Sequence, residues 1–193
     1  MTRLRLAWTV PYHHGDLRAV LLSEAASVVA ADGPDALTLR GLARRAGVSH
    51  AAPAHHFRDR RGLLTALATE GFVRLERAMR SAPTFLETAV AYVEFATGAG
   101  RGHYAVMFDS SRTDPRDPDL EAARTAAGQV LLDGTGTVEP RSADAPLAAF
   151  ALVHGLATLV MSGALRATHP GADVGDLTRR AARVLFAERS DET

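Results

Sequence analysis

Two adjacent histidine pairs, His13-His14 and His55-His56, are the first residues of this 193-residue chain that could do chemistry, because imidazole is a common metal ligand. Their spacing argues against that use. Consecutive helical residues point about 100° apart, whereas helical metal sites use i, i+3 or i, i+4 pairs. No His-Glu-x-x-His occurs either. The run Gly98-Ala99-Gly100-Arg101-Gly102 has the look of a phosphate loop, but no strand leads into it and the Lys-Ser/Thr is missing, so it reads as a helix break. No Ser-His-acid triad or nucleophile elbow can be picked out. The absence of Cys excludes disulfides, thiolate catalysis and Cys-based zinc sites. The sequence therefore offers no catalytic residue, metal site or cofactor site, and the chain reads as a non-enzyme.

Residues 38–57 carry a different chemistry. Thr38 suits an N-cap, and Leu39, Leu42, Ala43 and Ala46 follow at i, i+3, i+4 and i+7 of a short helix. Gly47 permits a sharp turn, Val48 fills the space between helices, and Ser49 is expected to cap a further helix running to about Phe57. Two short helices joined this way make a helix-turn-helix, whose second helix enters the major groove N-terminal end first. The residues available to bases and phosphates there are Ser49, His50, Ala51, Ala52, Ala54 and His55. Imidazoles can donate or accept at base edges, and Ala methyls can meet thymine methyls. Pro53 is expected to cost one helical hydrogen bond. An ordinary helical hairpin shows the same bare pattern.

Charge is distributed to suit a polyanion at one end. The chain has 22 basic residues, all Arg, against 22 acidic ones. Residues 1–64 hold nine Arg and five acidic residues, giving +4, and five of the eight His. Residues 65–193 hold 13 Arg and 17 acidic residues, giving −4. A basic first third on an acidic body fits a head that approaches nucleic acid and a body that does not.

A helical scaffold is expected to position this segment. Apolar residues, dominated by helix-favouring Ala and Leu, make up 47% of the chain, enough for a packed core. A first helix starts near Asp16, aligns Leu17, Leu21, Ala25 and Val28, and closes at Asp32-Gly33-Pro34. Asp59 can cap a fourth helix that aligns Leu64, Ala68, Gly71 and Leu75 and ends near Pro83. Further helices are expected at about 84–98, 102–109, 119–132, 144–168 and 173–188, with loops at 109–119 and 133–143. The last should bury Val174, Leu177, Ala181, Val184 and Leu185 and leave Arg179, Arg180 and Arg183 mostly outside. Residues 145–165 carry no charge, as a membrane span would require. Pro146, His154, Thr158 and Ser162 fit better a helix buried between its own bundle and a partner subunit.

Residues 12–18, 37–40 and 43–60, followed by Leu63-Leu64, closely resemble the tetracycline-repressor (TetR) family. The resemblance is carried by Tyr12-His13-His14-Gly15-Asp16-Leu17-Arg18, Leu37-Thr38-Leu39-Arg40, Ala43-Arg44-Arg45-Ala46-Gly47-Val48-Ser49 and His50 through Arg60. The resemblance implies an all-α homodimer with a three-helix DNA-binding head and a C-terminal helical ligand-binding and dimerisation bundle. The division implied is 1–62 for the arm and head and 63–193 for the bundle. It places Thr38, Arg40, Ser49, His50, Ala51, Ala52, Ala54, His55, His56 and Arg60 at the DNA. Thr38 would contact phosphate, and Arg60 stands where the family has a phosphate-binding Lys. Ala54 replaces a Tyr common in the family's recognition helix, which removes one backbone contact. Arg3 and Arg5 lie in an arm that the match does not cover and can reach the minor groove or phosphates. Phe150-Ala151-Leu152-Val153-His154-Gly155 resembles a segment of one branch of the family, with Phe150 in place of a Trp.

In the body, Phe85, Tyr92, Phe95, Tyr104, Met107 and Phe108 fall on neighbouring expected helices and can line an apolar cavity with His154 as a polar anchor. For any single one of these residues ordinary core packing is the stronger account, since bundle helices must bury one face. His154 fits a satisfied core histidine, a pocket group or an interface residue. The small residues Ala151, Gly155, Ser162 and Gly163 suit a close two-fold interface between helices. The combined expectation is a cytoplasmic repressor, released from palindromic double-stranded operator DNA by an unidentified small-molecule effector. A helical enzyme or carrier using the cavity, and a DNA binder with a filled core, are the competing readings.

Overall fold

The computed structural model describes residues 17–139 and 142–188; the arm with Arg3 and Arg5, and residues 12–16, lie outside the described residues. The first helix, α1 (Leu17–Asp32), is followed by a 3-10 turn at Pro34–Ala36, then by α2 (Leu39–Ala46) and α3 (Ala52–Phe57). A long α4 (Arg60–Arg80) leads to α5 (Phe85–Thr97), α6 (Arg101–Met107), α7 (Pro118–Thr135), α8 (Ala145–Met161) and α9 (Val174–Leu185). Two-residue strands β1 (Val138–Glu139) and β2 (Ala187–Glu188) pair antiparallel, tying the end of α7 to the end of α9. No helix among the described residues is long and apolar enough to cross a membrane.

The expected helix starts rest on capping side chains. Thr38 Oγ1 accepts from Gly41 N at 3.0 Å, and Asp59 Oδ1 accepts from Gly62 N at 2.8 Å. Each satisfies one of the backbone donors that a helix start leaves orphaned, typically worth about 1 kcal/mol. Leu21, Ala25 and Val29 of α1 close over Leu37, Leu42 and Phe57 to form the head's core. α4 packs on α1 and α3 and also on α5, α6 and α7, so one helix belongs to both cores. Leu64, Ala68, Gly71 and Leu75 are all buried along it. Truncating one of its fully buried leucines would cost about 2–5 kcal/mol. A second head-to-body seam forms where Gly102 of α6 rests on the α1 backbone; a Cβ there would lie 2.0 Å from the Ala26 carbonyl oxygen.

Three sequence expectations need correction. α8 stops at Met161 rather than near 168, because Gly163 takes a left-handed φ of 74° and Ala164 N bonds back to Leu159 O at 3.1 Å. α9 is rotated from its expected face: Gly175, Thr178 and Ala182 point inward, and Val184 is 83% exposed. The small residues let α9 approach α5 closely; Val174, Leu177 and Ala181 still pack half-buried against the core, while Val184 and Leu185 face outward. Arg179 is accordingly half-buried, its Nε and Nη2 donating to Glu87 Oε1 and Oε2 at 2.7 and 3.0 Å. Thirdly, α3 begins at Ala52 with no side-chain cap, so Ser49 does not cap it; Ser49 contributes its carbonyl, which accepts from Ala52 N at 3.1 Å. Pro53 then lies in the first turn, where its missing N–H costs no helical bond.

His103 of α6 is 1% exposed with neither ring nitrogen hydrogen-bonded, and Glu70 Oε2 of α4 lies 3.7 Å away, too far for a hydrogen bond. The nearby His103 ring nevertheless holds the Glu70 carboxyl below its ordinary range, against the opposing effect of burial. His103→Leu would leave the buried Glu70 Oε2 facing an aliphatic side chain in place of the ring that lowers its pKa. The thermal unfolding midpoint is therefore expected to fall, by the equivalent of about 1–3 kcal/mol of stability. An unchanged or raised midpoint would mean that the imidazole contributes no stabilising contact to Glu70.

Candidate nucleic-acid interface and effector cavity

The outer face of the head is built from α2 and the short α3. Gly47 has a left-handed φ of 67°, and Val48 N bonds to Ala43 O at 3.0 Å, which ends α2 and turns the chain sharply. Pro53 and Phe57 are the buried feet of α3, and the Arg18 guanidinium covers the Phe57 ring at 5.5 Å. With those two positions anchored, Ser49, His50, Ala51, Ala54, His55 and His56 are exposed, and Ala52 is half-buried. The His55 and His56 rings meet edge to face at 5.6 Å instead of converging on a common point. Among the described residues no group of three His, Cys, Asp or Glu could hold a metal.

Beside α3 lies a concavity of about 490 Å³ lined by Thr38, Arg40, Gly41, Arg44 and His50. The Thr38 oxygen accepts the capping bond, so its hydroxyl hydrogen remains free to donate outward. Arg40 and Arg44 are exposed and have no acidic partner among the described residues, whereas Arg45 is paired with Glu24 at 2.9 Å. A hydroxyl donor, two unpaired guanidinium groups and an exposed imidazole around one concave surface can donate hydrogen bonds to phosphate oxygens and base edges.

Arg60 is placed differently from the expectation of a free phosphate ligand. Its Nε donates to Leu37 O at 2.9 Å and its Nη2 to Pro34 O at 2.7 Å. These bonds tie the start of α4 to the residues just before Thr38. Arg60 is thus a positioning residue for the Thr38 cap, with only part of its guanidinium left for an external anion.

Behind the head, an apolar cavity of about 330 Å³ opens between α4, α5, α7 and α8. Of the residues expected to line a cavity, Tyr92 and Phe108 do so. Tyr104 and His154 stand behind them: Tyr104 Oη lies 2.8 Å from His154 Nδ1, and Tyr92 Oη lies 3.3 Å from the same atom. Burial pushes both phenols up and the imidazole down from their ordinary values, so all three are neutral near pH 7. We assign the ring proton to Nε2, leaving Nδ1 to accept from Tyr104. Phe85, Phe95 and Met107 do not line this cavity. Phe85 packs edge to face on Phe186, Phe95 lies against Gly100, and Met107 is buried against Gly71. Sequence reasoning missed Phe72, Leu75 and Met79 of α4, Arg124 and Leu131 of α7, and Phe150 of α8 as lining residues. Each lies on a helix whose apolar stripe was legible, but nothing in one stripe tells which neighbour leaves a gap.

A helical bundle with an outward-facing helix-turn-helix and a cavity behind it has the architecture of a one-chain transcriptional regulator. Family comparison agrees. Residues 21–67 match the model for bacterial regulatory proteins of the tetR family, and residues 85–185 match the tetracyclin repressor-like C-terminal domain. The chain belongs to the TetR family of transcriptional regulators. No curated protein matches it. Among solved structures, a protein of unknown function from Rhodococcus sp. RHA1 is 39% identical, with a TM-score of 0.70 over 90% of this chain and 95% of that one. A tetR-family regulatory protein from Rhodococcus RHA1 is 18% identical, with a TM-score of 0.61 over 86% and 93%. AibR in complex with isovaleryl coenzyme A and operator DNA is 15% identical, with a TM-score of 0.64 over 89% and 99%. The last two likenesses concern the fold.

Proposed function

We propose that the chain is a non-enzymatic, cytoplasmic repressor that binds a palindromic operator as a homodimer and is released by a small molecule in the body's cavity. The observation that carries this reading is the exposed surface of Ser49, His50, Ala51, Ala54, His55 and His56 beside unpaired Arg40 and Arg44. Phosphate contacts from Thr38, Arg40 and Arg44 would set register, and His50 and His55 would read base edges. The head comprises residues up to about 62, and the remainder forms the effector and dimer bundle. A dimer would present two recognition helices about 34 Å apart, one DNA turn.

Selection of bound fragments from random DNA tests the reading. Enrichment of an inverted repeat is expected, with affinity that falls steeply as salt rises. His50→Ala or His55→Ala should change base preference, while Arg44→Ala should weaken binding to every sequence alike. Failure to retain any duplex at low salt would reject the proposal.

The dimer interface is assigned to α8 and α9. Leu147, Ala151 and Leu159 form an exposed stripe on α8, with half-buried Gly155 between them, and Val184 and Leu185 are exposed on α9. Apolar stripes with small central residues allow close, self-complementary packing. Leu159→Arg is expected to yield a folded monomer in sedimentation analysis and to lose affinity for the full inverted repeat. A dimer of unchanged stability would place the interface elsewhere.

A further inference from the structure

We propose that the cavity selects an amphipathic anion, an apolar body carrying one carboxylate, and that Arg124 is the residue that selects it. This rests on the reading of the cavity as an effector site and adds the chemical class of the effector. The walls are apolar: Phe72, Leu75 and Met79 come from α4, Leu131 from α7, and Phe108 and Phe150 from the ends of the aromatic cluster. The volume of about 330 Å³ lies at the low end of small-molecule sites, which favours a compact body over a nucleotide-sized one.

Two polar side chains line the cavity, and they are not equivalent. The Tyr92 hydroxyl is engaged inward with Tyr104 and His154. Arg124 is the charged lining residue. Its guanidinium carbon stands 5.8 Å from the centroid of Phe72, and its Nη1 donates to Glu121 Oε2 at 3.0 Å. Among the described residues Nε and Nη2 have no hydrogen-bond partner, so the face of the fork that remains can donate to a carboxylate. No acidic residue lines the cavity; Glu121, the ion-pair partner of Arg124, is mostly exposed and is not part of the lining. A cationic ligand would therefore find no counter-ion among the lining residues. Gly128, also on the lining, leaves open space where a side chain would otherwise narrow the passage.

The polarity of the site follows from this arrangement. The apolar end of the ligand lies against Phe72, Leu131 and Phe150, and the carboxylate remains at the half-exposed rim, where desolvation is small. Phe108 is 40% exposed and packs edge to face on Phe72 at 5.3 Å, so it stands at the entrance that such a ligand would pass.

The test compares octanoate, octan-1-ol and octylamine by calorimetry on the full chain without DNA, followed by shorter and longer members of each series. Wild type is expected to bind the carboxylate about tenfold more tightly than the alcohol, and the amine more weakly than either. Arg124→Met should remove the preference for the carboxylate while leaving alcohol binding within about twofold; Arg124→Lys should retain part of it. Equal binding of carboxylate and alcohol by wild type overturns the proposal. So does an unchanged preference in folded Arg124→Met protein, or no binding by any member of the series. Because calorimetry needs no operator, charge selectivity can stand even if the chain ignores DNA. Conversely, a chain that binds an inverted repeat but shows no charge selectivity loses only the present inference.

Discussion

Gly62→Ala is expected to lower operator affinity at least a hundredfold, about 3 kcal/mol, while the helical bundle remains folded. The reason lies in the link between α3 and α4. Arg58 has φ 65° and ψ −58°, and Asp59 N bonds to Phe57 O at 2.7 Å across it, which is the geometry of a γ-turn that is rare and strained for a residue with a Cβ. The turn directs the Phe57 carbonyl back over the first turn of α4, where a Cβ on residue 62 would lie 2.1 Å from its oxygen. Neither atom can rotate away, since one belongs to the backbone and the other is fixed to it. Relief requires moving Phe57, and with it the buried foot that holds α3 in its outward orientation. Fluorescence anisotropy on the selected operator measures the loss. Gly128→Ala is the control, because a Cβ there meets nothing within 4 Å, and it should bind DNA as wild type does. Wild-type affinity in Gly62→Ala would mean that α3 does not need this anchor.

The same junction shows what could and could not be read from the sequence. Thr38, Gly47 and Asp59 were legible because caps and left-handed turns depend on the residue itself and a neighbour three or four positions away. The strained turn at Arg58 was not, because nothing about Arg favours positive φ; the packing of Phe57 and α4 imposes it. The inward partners of Arg60 were not legible for a related reason. Its charge suited a phosphate, but its partners, the Pro34 and Leu37 carbonyls, lie more than twenty residues earlier in the chain. In the body, periodicity located the helices well but misjudged the rotation of α9. Val184 and Leu185 look like core residues until Gly175 and Ala182 bring the helix so close to α5 that only small residues fit beneath it. The cavity was the least legible feature, since a gap depends on how four helices splay and not on any one of their stripes.

Arg112→Met is expected to leave the affinity of the free protein for DNA within about threefold yet to remove most of the effector's influence on it, which in coupled systems is roughly five- to 150-fold. Phe108 lines the cavity and is followed at once by Asp109, whose Oδ2 accepts from Arg112 Nε at 2.9 Å. The Arg112 Nη groups grip the Asp35 carboxylate, with Nη2 to Oδ2 at 3.0 Å. Asp35 lies in the turn that Arg60 holds beneath Thr38. Arg61 adds a second tie from the start of α4, donating to Thr113 O at 2.8 Å from Nη2. A ligand that displaced Phe108 would thus pull on the segment that presents the Thr38 cap, independently of any tilt of α4. The Arg112 guanidinium holds the Asp35 carboxyl below its ordinary value of 3.8. A depressed carboxyl contributes fully above its ordinary value and loses that contribution only as pH falls through the lowered one. The clamp is therefore constant from pH 6 to 8, and a pH dependence of induction in that range would have another origin. Asp35 is largely exposed, so solvent screening leaves overall stability little changed in either variant. Titrating octanoate, or any compound that releases the wild-type complex, into operator-bound Arg112→Met and Asp35→Asn separates the two routes. Release as efficient as wild type in both would show that α4 alone carries the signal, and loss in both would place it in the loop.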